Sequence, residues 1–144
     1  RLGPEANSSQ FNFKYIKHKL VNKKKNIKNF LLDQNFVSGI GNIYANEILF
    51  YSKINPLKLA KQLTNEEIVK LLKNSKLVLN LSIKFGGSSI KDFKNAKGIS
   101  GLFQNNFKVY NRENKNCVRK NCKGKIIKLF ISNRSSFFCK FCQK

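Results

Sequence analysis

The sequence predicts an α+β protein that is mostly helical and ends in a small β-hairpin. Over much of the first half of the chain, apolar residues recur every three or four positions, which is the period of an amphipathic helix. Near the end, β-branched and aromatic residues stand on both sides of the turn pair Ser132-Asn133, as in a two-stranded hairpin. We therefore expect two domains, a helical one over residues 1–108 and a small one over residues 109–144.

The helical domain is expected to begin with a linker. Residues 1–10 are polar and contain Gly3-Pro4, a pair typical of loops, and an aromatic and apolar stretch follows at residues 11–15. The first long helix is predicted over residues 24–35, with one apolar face formed by Ile27, Phe30, Leu31 and Leu32.

Two further helices follow. The second should begin after the interruption Gly39-Ile-Gly41, with Asn42 as its N-cap. The third should begin at Thr64, which precedes Glu67 by three residues as in a capping box, and Gly86-Gly87 should stop it. Its predicted buried face consists of Ile68, Leu71, Leu72, Leu79 and Ile83.

The rest of the chain predicts a loop and three strands. Residues 88–101 are polar and have no period, so we expect a loop there. Residues 103–110 predict a strand that leads into the second domain, and the hairpin strands are predicted over residues 125–131 and 134–138.

All four cysteines lie in the second domain, as Cys117-x4-Cys122 and Cys139-x2-Cys142. Two close pairs separated by the length of a hairpin can place four thiolates around one tetrahedral Zn²⁺ ion. Two disulfides or four unrelated thiols are the alternatives, but no secretory signal favours disulfides. We therefore expect one structural zinc, which would fold a segment too short to close a core of its own.

The chain carries a formal charge of +22, from 29 basic and 7 acidic residues. The usual counterpart of such an excess is a polyanion. Seven lysines lie between Lys14 and Lys28, and residues 107–144 hold eleven basic residues against the single Glu113. Both blocks predict phosphate-binding surfaces, although solvated faces or the lysine-rich composition of an AT-rich genome are alternatives.

No apolar run reaches the roughly 20 residues that span a membrane, and no leader is recognisable. We therefore expect a soluble cytoplasmic protein without membrane contact. Because the chain begins with Arg1 rather than Met, we also expect the sequence to be incomplete at its start.

The turn Gly39-Ile-Gly-Asn42 is a candidate anion site. Glycines allow close approach of the backbone, and the free N–H groups at the start of the next helix attract an anion. An ordinary tight corner between two helices is the alternative. The nearby cations that favour a nucleic-acid phosphate are Lys23, Lys24, Lys25 and Lys28.

Arg134, just after the hairpin turn, is a second candidate, because a rigidly held arginine suits bidentate contact with phosphate or a base edge. A plain surface arginine is the alternative. Lys128 on the same hairpin would add a phosphate contact, and Tyr110 could bind a phosphate or simply pack. His18 and Glu47 have no partner pattern, and neither is assigned a functional role.

These residues belong to motifs that occur in a recognisable order. The motifs are Leu2-Gly-Pro-Glu5, Phe30-Leu-Leu-Asp-Gln34, Val37-Ser-Gly-Ile-Gly-Asn-Ile-Tyr-Ala45, Gly86-Gly-Ser-Ser-Ile-Lys-Asp-Phe93, Val109-Tyr110 and the four cysteines ending in Cys142-Gln143. Together they resemble the C-terminal half of the bacterial formamidopyrimidine-DNA glycosylases. The resemblance implies a helix–two-turn–helix domain and a β-hairpin zinc finger that both grip damaged double-stranded DNA, with a flexible lid over residues 86–101.

The resemblance also implies roles for single residues. Asn42 and Lys28 would hold the phosphates that flank the extruded lesion, and Arg134 would bind phosphate and serve the catalytic δ-elimination step. Further contacts with the DNA backbone are implied for Lys23, Tyr110 and Lys128.

The implied enzyme is a monomeric base-excision repair glycosylase and AP lyase for oxidised purines, such as 8-oxoguanine and formamidopyrimidines, associated with the bacterial nucleoid. The alternatives are an endonuclease VIII-type glycosylase for oxidised pyrimidines and a non-catalytic, zinc-bearing nucleic-acid-binding protein.

Two departures from the family pattern affect these expectations. Family members carry their proline nucleophile on a separate N-terminal domain that this sequence lacks, so the isolated chain is expected to bind DNA without glycosylase activity. Four residues rather than the usual two separate Cys117 from Cys122, which leaves the geometry of that loop open.

Overall fold

In a computed structural model, which describes residues 2–84 and 106–144, the chain forms four α-helices, one 3₁₀ turn and a two-stranded antiparallel sheet. This confirms the predicted α+β class. The elements are α1 (Phe13–Leu20), α2 (Ile27–Leu32), α3 (Asn42–Tyr51), the 3₁₀ turn (Ala60–Gln62), α4 (Asn65–Lys84), β1 (Ile126–Ile131) and β2 (Arg134–Cys139). The loop predicted over residues 88–101, the lid over residues 86–101 and the stop at Gly86-Gly87 lie outside the described residues.

Helix α1 is not predicted by the sequence, which indicates only an aromatic and apolar stretch in this region. The helix buries only Ile16 and Leu20, and most of its other positions are basic or aromatic, so its apolar period is weak. A cap starts it instead, since the side chain of Asn12 accepts a hydrogen bond from the Tyr15 N–H at 2.9 Å.

Helix α2 is shorter than the predicted span of residues 24–35. It begins after Asn26, whose side-chain oxygen accepts a hydrogen bond from the Asn29 N–H at 2.8 Å. It ends where Asp33 leaves the helical conformation and accepts a hydrogen bond from the Asn35 N–H at 2.9 Å. Local caps at both ends therefore override the helical period of the flanking residues.

Helix α3 confirms the second predicted helix but begins differently. Gly41 is its N-cap, in an extended conformation, and Asn42 is its first helical residue, so the prediction of Asn42 as the N-cap is wrong. The side chain of Asn42 is engaged elsewhere, because its Nδ2 donates a hydrogen bond to the Ser135 carbonyl at 3.0 Å.

Helix α4 confirms the predicted capping box. The Glu67 N–H donates to Thr64 Oγ1 at 3.1 Å, and the Thr64 N–H donates to Glu67 Oε1 at 3.0 Å. Ile83 was expected inside and is 65% exposed, whereas its neighbour Ser82 is fully buried, so the buried face of the helix passes through Ser82 at this end. The other residues of the predicted face are buried or partly buried, namely Ile68, Leu71, Leu72 and Leu79.

The hairpin confirms its predicted strands to within one residue. Strands β1 and β2 pair in register from Ile126–Cys139 to Ile131–Arg134. The connection is the two-residue turn Ser132-Asn133, whose φ angles of 52° and 64° are those of the turn type that matches the twist of a hairpin.

Two apolar clusters organise the molecule. The larger one lies among the four helices, where α1 packs on α4, and α3 packs on both α2 and α4. The smaller cluster joins helix α3, the segment after residue 106 and the hairpin, and its buried members are Phe50, Val109, Cys117, Ile126, Phe137 and Cys139.

None of the described helices combines the length and apolar character needed to cross a bilayer.

Asn46 of helix α3 binds the hairpin through its backbone. Its Oδ1 accepts a hydrogen bond from the Phe137 N–H at 2.7 Å, and its Nδ2 donates to the Ser135 carbonyl at 3.3 Å. The residue is only 2% exposed, so these bonds replace hydrogen bonds to water that folding removes. Asn46 thereby fixes the position of strand β2 on the helix.

Glu47, the next residue, explains why the strand predicted over residues 103–110 does not form where the structure describes it. Its carboxylate accepts hydrogen bonds from the N–H groups of Lys108, Val109 and Tyr110 at 2.7, 3.0 and 3.0 Å, so residues 106–110 form turns without a strand partner. Burial raises the pKa of Glu47, and the three N–H groups oppose that rise. The sequence did not reveal this role, since its partners are backbone groups far along the chain.

We predict that Glu47→Ala lowers the free energy of unfolding by about 2–4 kcal/mol, because three N–H groups, two of them on partly buried residues, would lose their acceptor. Glu47→Gln retains one acceptor oxygen and should lie in between. Urea unfolding followed by circular dichroism measures both changes.

Glu66→Ala is the matched control. Glu66 is also an acid of a helix, but its side chain is 80% exposed and its ion pair with Lys70 at 3.4 Å contributes well under about 1 kcal/mol. Equal losses for the Glu47 and Glu66 variants would contradict the anchoring role of Glu47.

Candidate metal centre and nucleic-acid interface

The four cysteine thiols converge at the end of the hairpin. Their Sγ atoms all lie within 4.8 Å of one another, with 3.8 Å between Cys117 and Cys142 and 3.7 Å between Cys122 and Cys139. A disulfide needs about 2.05 Å between sulfurs, so the thiols are free. With a Zn–S bond of about 2.3 Å, the edge of a tetrahedral zinc–thiolate site is about 3.8 Å, which fits these separations.

The backbone around the thiols is shaped to leave them room. A Cβ atom added at Gly124 would lie 2.5 Å from Cys139 Sγ and 2.8 Å from the Cβ of Phe141, so only glycine fits there. The Gly124 N–H also donates to Cys122 Sγ at 3.5 Å and lowers the pKa of that thiol. Burial raises the pKa of Cys117 and Cys139, so a bound cation is what would hold them as thiolates.

The long spacing between the first two cysteines does not prevent this convergence. The four intervening residues, 118–121, form a turn in which the Cys122 N–H donates to the Arg119 carbonyl at 3.0 Å. Asn121 adopts a left-handed conformation with φ of 66°, which asparagine tolerates better than most residues. A spacing of four residues between Cys117 and Cys122 is therefore compatible with a closed cluster of all four thiols.

Three of the six predicted DNA-binding residues meet where the tip of the hairpin touches helices α2 and α3. The carbonyl of Ser135 accepts hydrogen bonds from Lys28 Nζ at 3.2 Å and Asn42 Nδ2 at 3.0 Å. Arg134 precedes Ser135 in the chain and is exposed at the tip. We call Lys28, Asn42 and Arg134 the basic junction.

Lys28 is fully buried, although the sequence predicts a lysine that reaches a phosphate. Its ammonium donates to the Ser135 carbonyl and to Ser136 Oγ. In the part of the chain that the structure describes, no carboxylate forms an ion pair with it. Burial, and secondly the charge of Arg134, lower the pKa of Lys28 to about 8.

The turn that leads into helix α3 is open in front of the basic junction. Gly39 has a φ of 93°, which favours glycine, and its N–H donates to Gln34 Oε1 at 3.0 Å. A Cβ added at Gly39 or Gly41 would meet no atom within 4 Å, so space for a ligand lies there. The side-chain oxygen of Asn42 is buried without a hydrogen-bond partner.

The other three predicted residues lie outside the basic junction. Lys23 is exposed at the start of the segment between α1 and α2. The ring of Tyr110 packs edge-on against Phe137 at 5.1 Å between centroids, which favours the packing role left open for it, and burial raises its pKa. Lys128 forms a long ion pair with Glu113 at 3.9 Å.

The acidic residues leave the positive charge largely uncompensated. Four of them form ion pairs with lysines, namely Asp33, Glu66, Glu67 and Glu113. The carboxylate of Glu47 instead accepts hydrogen bonds from backbone N–H groups. These four pairs involve only a small part of the 29 basic residues. The surface therefore retains a strong positive field, as expected for a protein that binds a polyanion.

Sequence reasoning missed the residues that assemble this site. Asn46, Glu47 and Gln143 are buried, and each contacts backbone groups far away in the sequence. A signal was present for Asn46, since it stands one helical turn after Asn42 and shares its face. For Glu47 and Gln143 no local signal exists, because their partners are distant backbone groups, which every residue type carries.

Comparisons with known proteins agree with this geometry. The family profile of the formamidopyrimidine-DNA glycosylase H2TH domain matches residues 2–94. Formamidopyrimidine-DNA glycosylases of Haemophilus influenzae (strain 86-028NP) and Rickettsia felis are 45% and 42% identical over 100% and 99% of this chain, and over 52% and 51% of their own lengths. The chain thus spans about half the length of the curated relatives it matches.

A solved structure gives the same result. The crystal structure of Lactococcus lactis Fpg (MutM) in complex with a FAPY-dG-containing DNA superposes with a TM-score of 0.88 at 36% identity. The match covers 99% of this chain and 51% of that protein. By the family profile, by sequence identity and by structure, the chain belongs to the formamidopyrimidine-DNA glycosylase family.

Proposed function

We propose that this chain is the DNA-binding part of a bifunctional base-excision repair enzyme, a glycosylase and AP lyase for oxidised purines. The observation that carries the proposal is the basic junction, where Lys28 and Asn42 meet on the carbonyl that follows Arg134. The name shared by its relatives and the FAPY-dG complex of the Lactococcus protein support an oxidised purine as the lesion.

The proposed division of labour follows the two domains. Residues 1–108 are the helix–two-turn–helix DNA-binding domain, with the lid over residues 86–101, and residues 109–144 are the zinc finger. Damaged double-stranded DNA is the partner, and the protein acts as a monomer on chromosomal DNA in the bacterial cytoplasm.

A DNA phosphate at the basic junction would meet an unused amide donor beside a buried positive charge. The ammonium of Lys28 is fully buried and donates to Ser135 and Ser136, so it would act on the phosphate through its charge. The amide of Asn42 uses one of its two N–H groups on Ser135 and has the other left for a ligand. Lys28 and Asn42 would hold the phosphates next to the lesion, and such contacts fix the register of DNA on the protein.

The remaining predicted residues would extend this grip along the backbone. Lys23 and Lys128 carry their charge on flexible stems that can follow the phosphates, and Tyr110 would bind through its hydroxyl group while its ring stays packed. Arg134 offers a planar fork for one phosphate.

In the proposed reaction, an amine nucleophile removes the base through a Schiff base, and β- and δ-elimination then cleave the strand. The lesion must first leave the base stack, which requires a firm hold on the flanking backbone. The δ-elimination expels a phosphate, and Arg134 is the proposed catalytic residue of this chain because its guanidinium can stabilise the charge that develops on the departing oxygen.

Cys117, Cys122, Cys139 and Cys142 are proposed to hold one structural Zn²⁺. The compact thiol cluster and the room left by Gly124 support this assignment. The ion would supply the cross-link that a segment of this size needs in order to fold, and no step of the reaction passes through it.

We predict one zinc per chain, measured by elemental analysis of the reduced protein, with fewer than four thiols open to a thiol reagent before denaturation. A strong chelator should release the ion and unfold residues 109–144 while the helices persist, because helical packing does not depend on the thiols. A zinc-free chain with four reactive thiols and an intact hairpin would contradict the site.

The basic junction is tested by Asn42→Ala and Arg134→Ala. Each should weaken binding to duplex DNA with an abasic site by about 1–3 kcal/mol at fixed salt, since each removes a hydrogen bond to a charged phosphate. Fluorescence anisotropy gives the affinity, and circular dichroism checks the fold.

Lys140→Ala is the control for charge alone. Lys140 is an exposed lysine that follows strand β2 at the opposite end from the tip, so its loss should cost much less. If all three variants bind equally well, the junction is not where the phosphate sits.

The lowered pKa of Lys28 predicts that DNA binding takes up protons. Free protein at pH 8 should hold the ammonium in about half of the molecules, and a phosphate beside it raises the pKa, so up to about 0.5 proton should be bound per complex. The affinity should accordingly fall as the pH rises through 8.

Calorimetry in two buffers with different ionisation enthalpies measures this uptake. Lys28→Met should abolish it, whereas Lys23→Gln, which removes an exposed lysine, should leave it unchanged. Equal uptake in the Lys28→Met variant would mean that another group titrates.

A further inference from the structure

Arg119, in the four-residue loop between Cys117 and Cys122, contacts both the thiol cluster and helix α3. Its Nε donates to Cys142 Sγ at 3.3 Å. Its Nη2 donates to the carbonyl of Phe50 in the last turn of helix α3, and its guanidinium carbon lies 4.2 Å from the centre of the Phe50 ring. We propose that Arg119 is a positioning residue, which stabilises the metal-bound form of Cys142 and clamps the metal centre to the end of helix α3.

The chemistry of a four-thiolate site favours such a cation. Four thiolates and one Zn²⁺ carry a net charge of −2, so a partly buried site needs positive groups close to the sulfurs. An N–H···S bond draws electron density from the sulfur and holds it in place, and such outer contacts govern metal affinity in other sites. This inference rests on the zinc proposed above.

The contact with helix α3 gives Arg119 its fixed geometry. The last carbonyls of a helix carry a partial negative charge and lack partners within the helix, so a cation there is favourable. The ring of Phe50 is buried, with 3% exposure, and supports the guanidinium from one face. One planar group thereby reaches the sulfur and the carbonyl from two different nitrogens while its face lies on the ring, and the single nitrogen of a lysine does not reproduce that geometry.

The loop that holds Arg119 is a closed turn. Residues 118–121 form the turn closed by the Cys122 N–H on the Arg119 carbonyl, and the left-handed Asn121 returns the chain to the cluster. The loop with the unusual spacing therefore holds the residue that contacts Cys142.

The test compares Arg119→Ala and Arg119→Lys with Lys120→Ala in the full chain. Lys120 is the next residue, exposed in the same loop, and its loss changes the net charge by the same amount. The rate at which each protein releases Zn²⁺ to an excess of a chromogenic chelator is the first readout. We expect roughly tenfold faster release or more for both Arg119 variants and no change for Lys120→Ala.

The second readout is the thiolate-to-metal charge-transfer band of the Co²⁺-substituted proteins. Losing the N–H···S bond raises the energy of the sulfur electrons, so the band should move to longer wavelength in both Arg119 variants. Release rates and band positions that match Lys120→Ala would overturn the proposal, as would an Arg119→Lys protein that behaves like the unmodified chain.

If Arg119→Ala fails to fold, Arg119→Lys decides, because it keeps the charge and an aliphatic stem over Phe50. Zinc content of the unmodified chain separates the two proposals. A chain without zinc contradicts the metal site itself and this proposal with it, whereas a zinc-bearing chain with unaffected Arg119 variants contradicts only the role of Arg119.

Discussion

Helix α3 is the element on which the rest of the structure depends, because its buried polar side chains satisfy the backbone of the segments around it. Asn46 binds strand β2 and Glu47 binds the turn at residues 108–110. Apolar contacts alone would let the hairpin slide on the helix, since they have no preferred direction. A buried N–H that loses its acceptor is costly, so these bonds select one position of the hairpin.

That position creates the basic junction at a cost in electrostatic energy. Lys28 is buried near Arg134, no carboxylate within residues 2–84 and 106–144 forms an ion pair with it, and its lowered pKa means that the folded protein disfavours the charge. A fold selected only for stability would place an apolar residue or an ion pair there. The unpaired ammonium is understandable if an anion from outside completes the site, because binding then removes the repulsion that folding had to overcome.

The sequence predicts those features whose causes are local. The turn Ser132-Asn133, the capping box of Thr64 and Glu67, and the cysteine spacing all involve residues close together in the chain, and all are found in the structure. The predictions that are wrong involve either contacts between residues far apart in the sequence or a weak apolar period. Helix α1 has few apolar residues. The strand was expected over residues 103–110, and the described part, residues 106–110, instead forms turns whose N–H groups bind a carboxylate about sixty positions earlier.

The hairpin is attached near both ends of helix α3, which has consequences for how its tip is held. Asn42 and Asn46 bind the tip near the start of the helix. At the other end, Arg119 donates to the carbonyl of Phe50 in the last turn, and Gln143 donates to the carbonyl of Ile54 just beyond it. A helix of ten residues spans about 15 Å, so the two attachments act as widely spaced points on one rigid rod. With both in place the hairpin cannot tilt on the helix. A metal at the thiol cluster would therefore act on Arg134 through this geometry, by fixing the far end of the same two strands.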